Sequence, residues 1–181
     1  MLNQVSQSVS SDDLTSPLHC AATPLGQLPL LEVGGESLAQ SVAIARYLAR
    51  QHGLAGNTEM AAAQADMVID TLSDLMVPVA AMMREKDEQK RADMKASFSS
   101  ETLPGWLTML ERLLTRRGGK YFAGGELSWA DLAVFNVIDN MNGRLADFNI
   151  EEYPNLDKLT VMVRELPNIN KWLQERPDTP F

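Results

Sequence analysis

The segment SWADLAVFNVID, residues 128–139, constrains the fold of this chain more than any other part of its sequence. Its apolar residues are distributed around the whole axis of a helix, a pattern that is typical of a helix buried on every side. Ser128 lies three residues before Asp131, which is the spacing of a capping box, with Asp in place of the usual Glu or Gln. We therefore predict a central, buried helix that begins beside Ser128.

A long apolar stripe predicts a second helix before this one. Apolar residues recur at helical spacing from Ala61 to Met83, which indicates one long amphipathic helix. Pro78 should kink this helix, because a proline removes one backbone donor and crowds the preceding turn. The mixed charges of 84–95 indicate a solvated face or a helix junction after it.

Three further stripes complete a predicted all-helical domain. Residues 102–117 form an amphipathic pattern, and the glycine pair at 118–119 ends it. Two shorter patterns follow at 156–166 and 169–176, and prolines separate them. We expect the all-helical domain to extend over residues 58–181.

The segment from Gly26 to Gly53 has a different pattern. The short apolar run LPLLEV, at 28–33, precedes a Gly-Gly dipeptide and the sequence ESL, which is typical of a β-hairpin. A helix follows in which Ser41 is a suitable N-cap and Gly53 ends the last turn. Residues 1–25 show no sustained periodicity, and we expect them to form a poorly ordered lead-in.

Composition excludes several kinds of partner. Sixteen Lys and Arg against 24 Asp and Glu give a net charge of −8, which is poorly suited to a nucleic acid backbone. The first basic residue is Arg46, so the start of the chain has neither signal-peptide nor transit-peptide character. The longest apolar runs fall far short of the roughly 20 residues that span a bilayer. Cys20 is the single cysteine and cannot form an intramolecular disulfide, which fits a reducing compartment. Together these features lead us to expect a cytoplasmic protein that binds neither nucleic acid nor membrane.

Motifs of several enzyme classes are absent from the sequence. It contains no HExxH, CxxC, GxSxG, phosphate-loop or GxGxxG pattern. His19 and His52 are the two histidines, which nearly excludes a His-based metal cage. His19 and Cys20 are adjacent in the chain, and adjacent residues rarely orient as a catalytic pair. No metal cofactor is predicted.

The stretch GQLPLLEVGGESLAQSVAIARYLA, at 26–49, resembles the second half of the thioredoxin-like domain of glutathione transferases. The resemblance is greatest to the sigma class and its hematopoietic prostaglandin D synthase-like transferases. The 128–139 segment is similar to the buried helix of that family, and IDTLSDLM, at 69–76, to its segment with paired acids. ERPDTPF is like the C-terminal ending of the class, so the resemblance extends over about residues 23–181.

The resemblance implies an α/β part followed by an all-α part. A partial thioredoxin-like, glutathione-binding domain, made of a β-hairpin and a helix, is expected over 26–55. The all-helical C-terminal domain of a glutathione transferase is expected over 58–181. The 25 residues before Gly26 are fewer than a β-α-β unit needs, so we expect that unit of the family to be missing or replaced by the lead-in.

The resemblance also implies a glutathione site. In the family the proline at position 29 is cis, so that a peptide backbone can pair with the N–H and C=O of Leu28. The γ-glutamyl carboxylate lies where strand becomes helix. From the residues alone, Pro29 remains an ordinary turn proline and Ser41 an ordinary N-cap. The implied glutathione-binding residues are Gly26, Gln27, Leu28, Pro29, Gln40 and Ser41.

Two further sets of residues are implied near this site. Asp70 and Asp74 match acids that, in the sigma class, lie at the dimer interface and reach toward glutathione on the neighbouring subunit. Some members place a divalent cation there, but Ser73 stands where the family often has another acid. Asp66, Asp70 and Asp74 also fit a solvated acidic ridge. A substrate pocket is expected at Met76, Val79 and Met83, which fit a helical core equally well.

The implied function is that of a sigma-like glutathione S-transferase. It would conjugate the glutathione thiol to small electrophiles, or isomerise them with glutathione as co-substrate, and it would form a homodimer that takes small electrophilic or lipid-like substrates. The family carries its catalytic tyrosine on the first strand, whereas Tyr47 is the first tyrosine here, so no catalytic residue is assigned. The alternative is a catalytically impaired, crystallin-like or dimer-partner protein that has lost this tyrosine. An unrelated helical interaction module is a third hypothesis.

Overall fold

The computed structural model describes residues 24–142, 145–146 and 148–177. They belong to two compact units that divide between Gly53 and Leu54. Nearly all of the expected lead-in over 1–25 lies outside the described residues. In the described part of the chain, no helix combines the length and the apolar character that crossing a membrane requires.

The first unit is a β-hairpin followed by a helix, as predicted. Val33 pairs with Glu36 at the end of the antiparallel ladder, so that Gly34 and Gly35 form a two-residue loop. Both glycines have positive φ angles, of 60° and 87°, which a tight hairpin turn requires. The elements are β1 (Leu30–Val33), β2 (Glu36–Ala39) and α1 (Ser41–Gln51).

The structure corrects the predicted start of α1. Gln40, not Ser41, is the N-cap, and its carbonyl oxygen accepts the first helical hydrogen bond from the N–H of Ile44 at 2.9 Å. The chain enters the helix through a left-handed turn at Gln40, with φ 74°. Ser41 is therefore already the first helical residue, one position too late for its hydroxyl to cap the helix. The helix ends, as predicted, just before Gly53, which has a positive φ of 69°.

The second unit is helical, and its helices follow the predicted order. The long helix α2 contains Pro78 and continues to Arg84, and a new helix begins at Glu88, so the charged segment 84–95 includes a helix junction. The helices are α2 (Glu59–Arg84), α3 (Glu88–Ser97), α4 (Leu103–Arg116), α5 (Trp129–Met141), α6 (Pro154–Arg164) and α7 (Pro167–Glu175).

A π-helical turn at Phe98–Thr102 joins α3 directly to α4, which the sequence did not predict. The N–H of Leu103 donates to the carbonyl of Phe98, five residues earlier. The next residue is Pro104, which has no N–H and whose ring would crowd the carbonyl four residues before it in a regular helix. The wider turn accommodates this proline and lets the helical path continue into α4.

The helix α5 occupies the centre of the second unit, as predicted, but it is not buried on every side, because Asn136 is exposed and Leu132 and Val137 are half-buried. Trp129, Phe135 and Ile138 are buried, and α5 packs against α2 on one side and α6 on another. Ser128 and Asp131 form the predicted capping box at its start. The predicted position and cap of this helix are therefore confirmed, whereas its burial around the whole axis is not.

The carboxylate of Asp131 is fully buried and accepts three hydrogen bonds. Its Oδ2 accepts from the backbone N–H and the hydroxyl of Ser128, both at 2.7 Å, and its Oδ1 accepts from the N–H of Phe122 at 2.8 Å. Burial raises the pKa of Asp131, and these hydrogen bonds oppose part of that rise because they favour the charged form. The loop around Phe122 is thereby attached to the first turn of α5.

We expect Asp131→Ala to destabilise the folded state by about 3–5 kcal/mol, because each buried donor left without an acceptor costs about 1–3 kcal/mol. Urea unfolding at pH 7, followed by tryptophan fluorescence, measures the loss. Asp93→Ala is the matched control, since Asp93 is exposed on α3, and it should change the free energy of unfolding by no more than about 0.5 kcal/mol. Equal effects of the two substitutions would contradict the role given to Asp131.

Candidate functional site

A small cavity in the hairpin unit brings together most of the residues implied for the glutathione site. It has a volume of about 60 Å³. Gln27, Leu28 and Pro29 line one part of it, and Gln40 and Ser41 line another. Leu25 and Ala39 also line the cavity, and neither was predicted from the sequence. Of the six predicted residues, Gly26 is the one that does not line it.

The loop before β1 presents its backbone at this cavity. The Leu28–Pro29 peptide bond is cis, as the resemblance implies, and Gly26 turns the chain with a positive φ of 64°. Leu28 is exposed, so an extended peptide can approach its backbone. Main-chain N–H and C=O groups are suited to pair with a peptide ligand as an added strand would.

The N-terminus of α1 forms the second part of the cavity. The N–H groups in the first turn of a helix have no partner within the helix, and the helix dipole makes this end positive. No acidic residue lies in the first turn of α1, and Ser41 is exposed there. A carboxylate that enters the cavity therefore meets backbone donors and a hydroxyl group, with no negative side chain in the first turn of α1 to repel it.

Gln40 adopts a backbone conformation that is unusual for its residue type. Among the described residues it is the one non-glycine residue with a positive φ, at 74°. Such strain is concentrated at ligand-binding and catalytic positions, where the surrounding structure maintains it. No sequence signal predicts it, because Gly, Asn and Asp are the residues that normally adopt this conformation. The strained residue lies on the cavity wall, next to the exposed Ser41 at the start of α1.

Asp70 and Asp74 lie exposed on α2, where they share a face with exposed apolar residues. Met67 lies three residues before Asp70, and Val77 lies three residues after Asp74, so the four side chains project from one side of the helix. Val77 is 66% exposed. Within the described residues, no group of three or more His, Cys, Asp or Glu side chains could hold a metal ion.

The three residues implied for a substrate pocket have very different environments. Val79 is 1% exposed and belongs to the core of the helical unit, whereas Met83 is 48% exposed. Met76 is half-buried between these extremes. All three lie along one side of α2, and their role toward a substrate stays a prediction.

Comparison with protein families gives two matches along the chain. The family described as "Glutathione S-transferase, C-terminal domain" matches residues 73–176. The family described as "Glutathione S-transferase, N-terminal domain" matches residues 5–50. The second match begins well before residue 23, so the similarity extends further toward the N-terminus than the motifs alone indicated.

Individual proteins agree with the family matches. The chain is 41% identical over 162 residues to glutathione S-transferase 1 of Ascaris suum, which covers 88% of this chain and 78% of that protein. The solved structure of prostaglandin synthase D of Nilaparvata lugens has a TM-score of 0.81 at 32% identity. The match covers 94% of this chain and 84% of the Nilaparvata lugens chain. The glutathione S-transferase of Ascaris lumbricoides has a TM-score of 0.79 at 39% identity, with coverage of 96% and 84%.

The left-handed conformation of Gln40 leads to a test of the hairpin unit. We expect Gln40→Gly to preserve or strengthen α1, and Gln40→Val to weaken it by about 1–2 kcal/mol, because a β-branched side chain is poorly compatible with positive φ. Amide hydrogen exchange of α1 measures the effect locally. Gln51→Val, at the exposed last residue of α1, controls for the lower helix propensity of valine. Similar exchange rates in Gln40→Gly and Gln40→Val would contradict the proposed strain.

Proposed function

The chain belongs to the glutathione S-transferase family, and we propose that it is a glutathione-dependent transferase whose hairpin unit binds glutathione as co-substrate. The observation that carries this proposal is the cavity where the Leu28–Pro29 turn faces the start of α1. Glutathione has a peptide backbone, a thiol and two carboxylates. The main chain of Leu28 is suited to pair with the peptide backbone, and the start of α1 at Ser41 is suited to bind a carboxylate.

In the proposed complex, each part of the cavity binds a different part of glutathione. The N–H and C=O of Leu28 pair with the backbone of the cysteinyl residue, since Leu28 is exposed and lines the cavity. The first turn of α1, with the hydroxyl of Ser41, binds the γ-glutamyl carboxylate. The backbone turn at Gln40 directs this helix end toward the cavity.

The reaction proposed for the bound glutathione is attack of its thiolate on an electrophile. A new carbon–sulfur bond forms, and the leaving group departs with the electron pair of the bond that breaks. A free thiol has a pKa near 8.5, so only a small fraction is nucleophilic at neutral pH unless a donor stabilises the thiolate. Tyr47, the first tyrosine of the chain, lies within α1 and is half-buried, so we assign it no catalytic role.

The finer proposal is a sigma-like transferase that conjugates or isomerises small electrophiles in the cytoplasm. The paired acids at Asp70 and Asp74 support it, as does the likeness to the prostaglandin synthase of Nilaparvata lugens. The alternative of a catalytically impaired, crystallin-like or dimer-partner protein is not favoured, because the similar proteins are named as transferases or as a synthase. Asp70 and Asp74 are proposed to contact the glutathione of a neighbouring subunit.

The carboxylate site at α1 is tested with Ser41→Asp. A negative charge in the first turn of a helix stabilises the helix, so the variant should fold, but it should repel a bound carboxylate. We expect its affinity for glutathione, measured by calorimetry, to fall at least about tenfold, since hydrogen bonds to charged groups contribute about 1.5–3 kcal/mol.

Ser37→Asp is the matched control, because Ser37 is exposed on β2 and does not line the cavity. It changes the net charge of the same unit by the same amount, and it should leave glutathione affinity nearly unchanged. Equal losses in the two variants would mean that long-range repulsion, not a local carboxylate site, controls binding.

Thiol activation is tested by conjugation of glutathione to chlorodinitrobenzene. We expect a tyrosine that donates to the thiolate to raise turnover about 10- to 100-fold over that of the 181-residue chain, because one hydrogen bond to a charged group contributes about 1.5–3 kcal/mol. The comparison is the same chain with a β-α-β unit that bears the family tyrosine added in front of Gly26. Similar turnover by both proteins would contradict this expectation and would mean that a different group activates the thiol of glutathione.

We also propose that the exposed face of α2 is the interface of a homodimer. Met67 and Val77 flank Asp70 and Asp74 on this face, and exposed apolar side chains in a group are typical of protein interfaces. Val77→Asp should convert the dimer into a monomer in sedimentation experiments at micromolar protein concentration. Val161→Asp, at an exposed valine of α6, is the control and should remain dimeric. A wild-type monomer would refute the interface.

A further inference from the structure

A second cavity lies within the helical unit, and its lining includes no residue proposed for the glutathione site, the substrate pocket or the dimer interface. It has a volume of about 270 Å³ and is partly open to solvent. Phe135 and Ile138 of α5 are buried side chains on its wall, and Ile150 adds a third apolar surface. The polar residues of the lining are Asp139, Asn142, Thr160 and Arg164.

The carboxylate of Asp139 is already paired on both of its oxygens. Its Oδ1 accepts from Nη2 of Arg164 at 2.6 Å, and its Oδ2 accepts from Nη2 of Arg176 at 2.9 Å. The side chain of Asp139 is 9% exposed. Among the described residues, these two arginines and one aspartate carry one excess positive charge, in a chain whose net charge is −8. The cluster therefore favours an anionic ligand over a cationic one.

Arg164 is the residue of this cluster that can reach a ligand. Its side chain is 52% exposed, and its guanidinium lies 5.5 Å from the centroid of the Phe135 ring. A guanidinium carries five N–H donors, and the hydrogen bond to Asp139 uses one nitrogen, Nη2. The other donors can form charge-assisted hydrogen bonds with the carboxylate of a ligand in the cavity.

Three apolar side chains of the lining can contact the body of a ligand. The hydroxyl of Thr160 donates to the backbone carbonyl of Asp157 at 2.8 Å, so its proton is already used. Phe135, Ile138 and Ile150 are the apolar side chains of the lining, and they lie beside its polar groups. A volume of about 270 Å³ lies just below the range of ~300–1,000 Å³ that holds drug-sized ligands, so a molecule of one or two rings fits better than a larger one.

We propose that this cavity binds a small aromatic monocarboxylate, with the carboxylate on Arg164 and the ring against Phe135 and Ile138. The site is distinct from the glutathione cavity, which belongs to the hairpin unit, and it does not depend on transferase activity. It gives the protein a second ligand class, of organic acids that need not be electrophilic.

The test uses 2-naphthoate as the probe and ¹⁵N NMR of the whole chain as the readout. We expect saturable shifts at the backbone amides of Ile138, Ile150 and Thr160, with a dissociation constant of about 1 mM or lower. 2-Naphthylmethanol and 2-naphthylmethylammonium, which share the ring system but not the charge, should bind at least about tenfold more weakly. This comparison needs no variant, so it holds even where a substitution unfolds the protein.

Arg164→Gln should weaken 2-naphthoate binding about tenfold or more. Arg112→Gln, at an exposed arginine of α4, removes the same charge elsewhere and should have no effect. Saturating S-hexylglutathione, which occupies the transferase site, should not displace the probe. The proposal is overturned if the neutral alcohol binds as well as the acid, if both variants behave alike, or if S-hexylglutathione displaces the probe.

Discussion

The buried carboxylate of Asp131 is the interaction on which the helical unit depends. It joins the N–H of Phe122 to the N–H and hydroxyl of Ser128, so that an otherwise irregular loop is held against the first turn of α5. The N–H of Trp129 in the same turn donates to the carbonyl of Leu54 at 2.9 Å. The start of the central helix is thus bonded to two separate loops. Burial of the charge is unfavourable, as the raised pKa of Asp131 reflects, and the three hydrogen bonds offset part of that penalty.

Two other carboxylates connect helices in a similar way. Glu111 on α4 accepts from the N–H groups of Asn155 and Leu156, in the first turn of α6, and so acts as a cap supplied by another helix. Asp139 on α5 accepts from arginines of α6 and of the chain just after α7. Part of the acidic composition therefore stabilises contacts between helices.

Much of this fold could be predicted from the sequence because the decisive patterns are local. The capping box at Ser128 and the glycine turn of the hairpin each lie within a few residues, and the stripe of α2 repeats at a fixed period. The contact between Glu111 and Asn155 spans 44 residues, and no local pattern encodes it. A proline such as Pro104 normally marks the start of a helix, so the sequence pattern predicts a break before it. The π-helical turn forms because α3 and α4 continue into each other on the two sides of this proline.

The candidate site shows the same division between local and non-local information. Pro29 and Ser41 were identified from motif and resemblance, and the cavity contains both. The positive φ of Gln40 has no local signature, because the hairpin and the helix it joins impose it together.

The two proposed sites should therefore differ in how they respond to sequence change. The glutathione cavity relies on backbone groups, so many side-chain substitutions there should leave recognition intact as long as the turns persist. The cavity beside Arg164 relies on one guanidinium held by Asp139, so its ligand preference should change with a single residue.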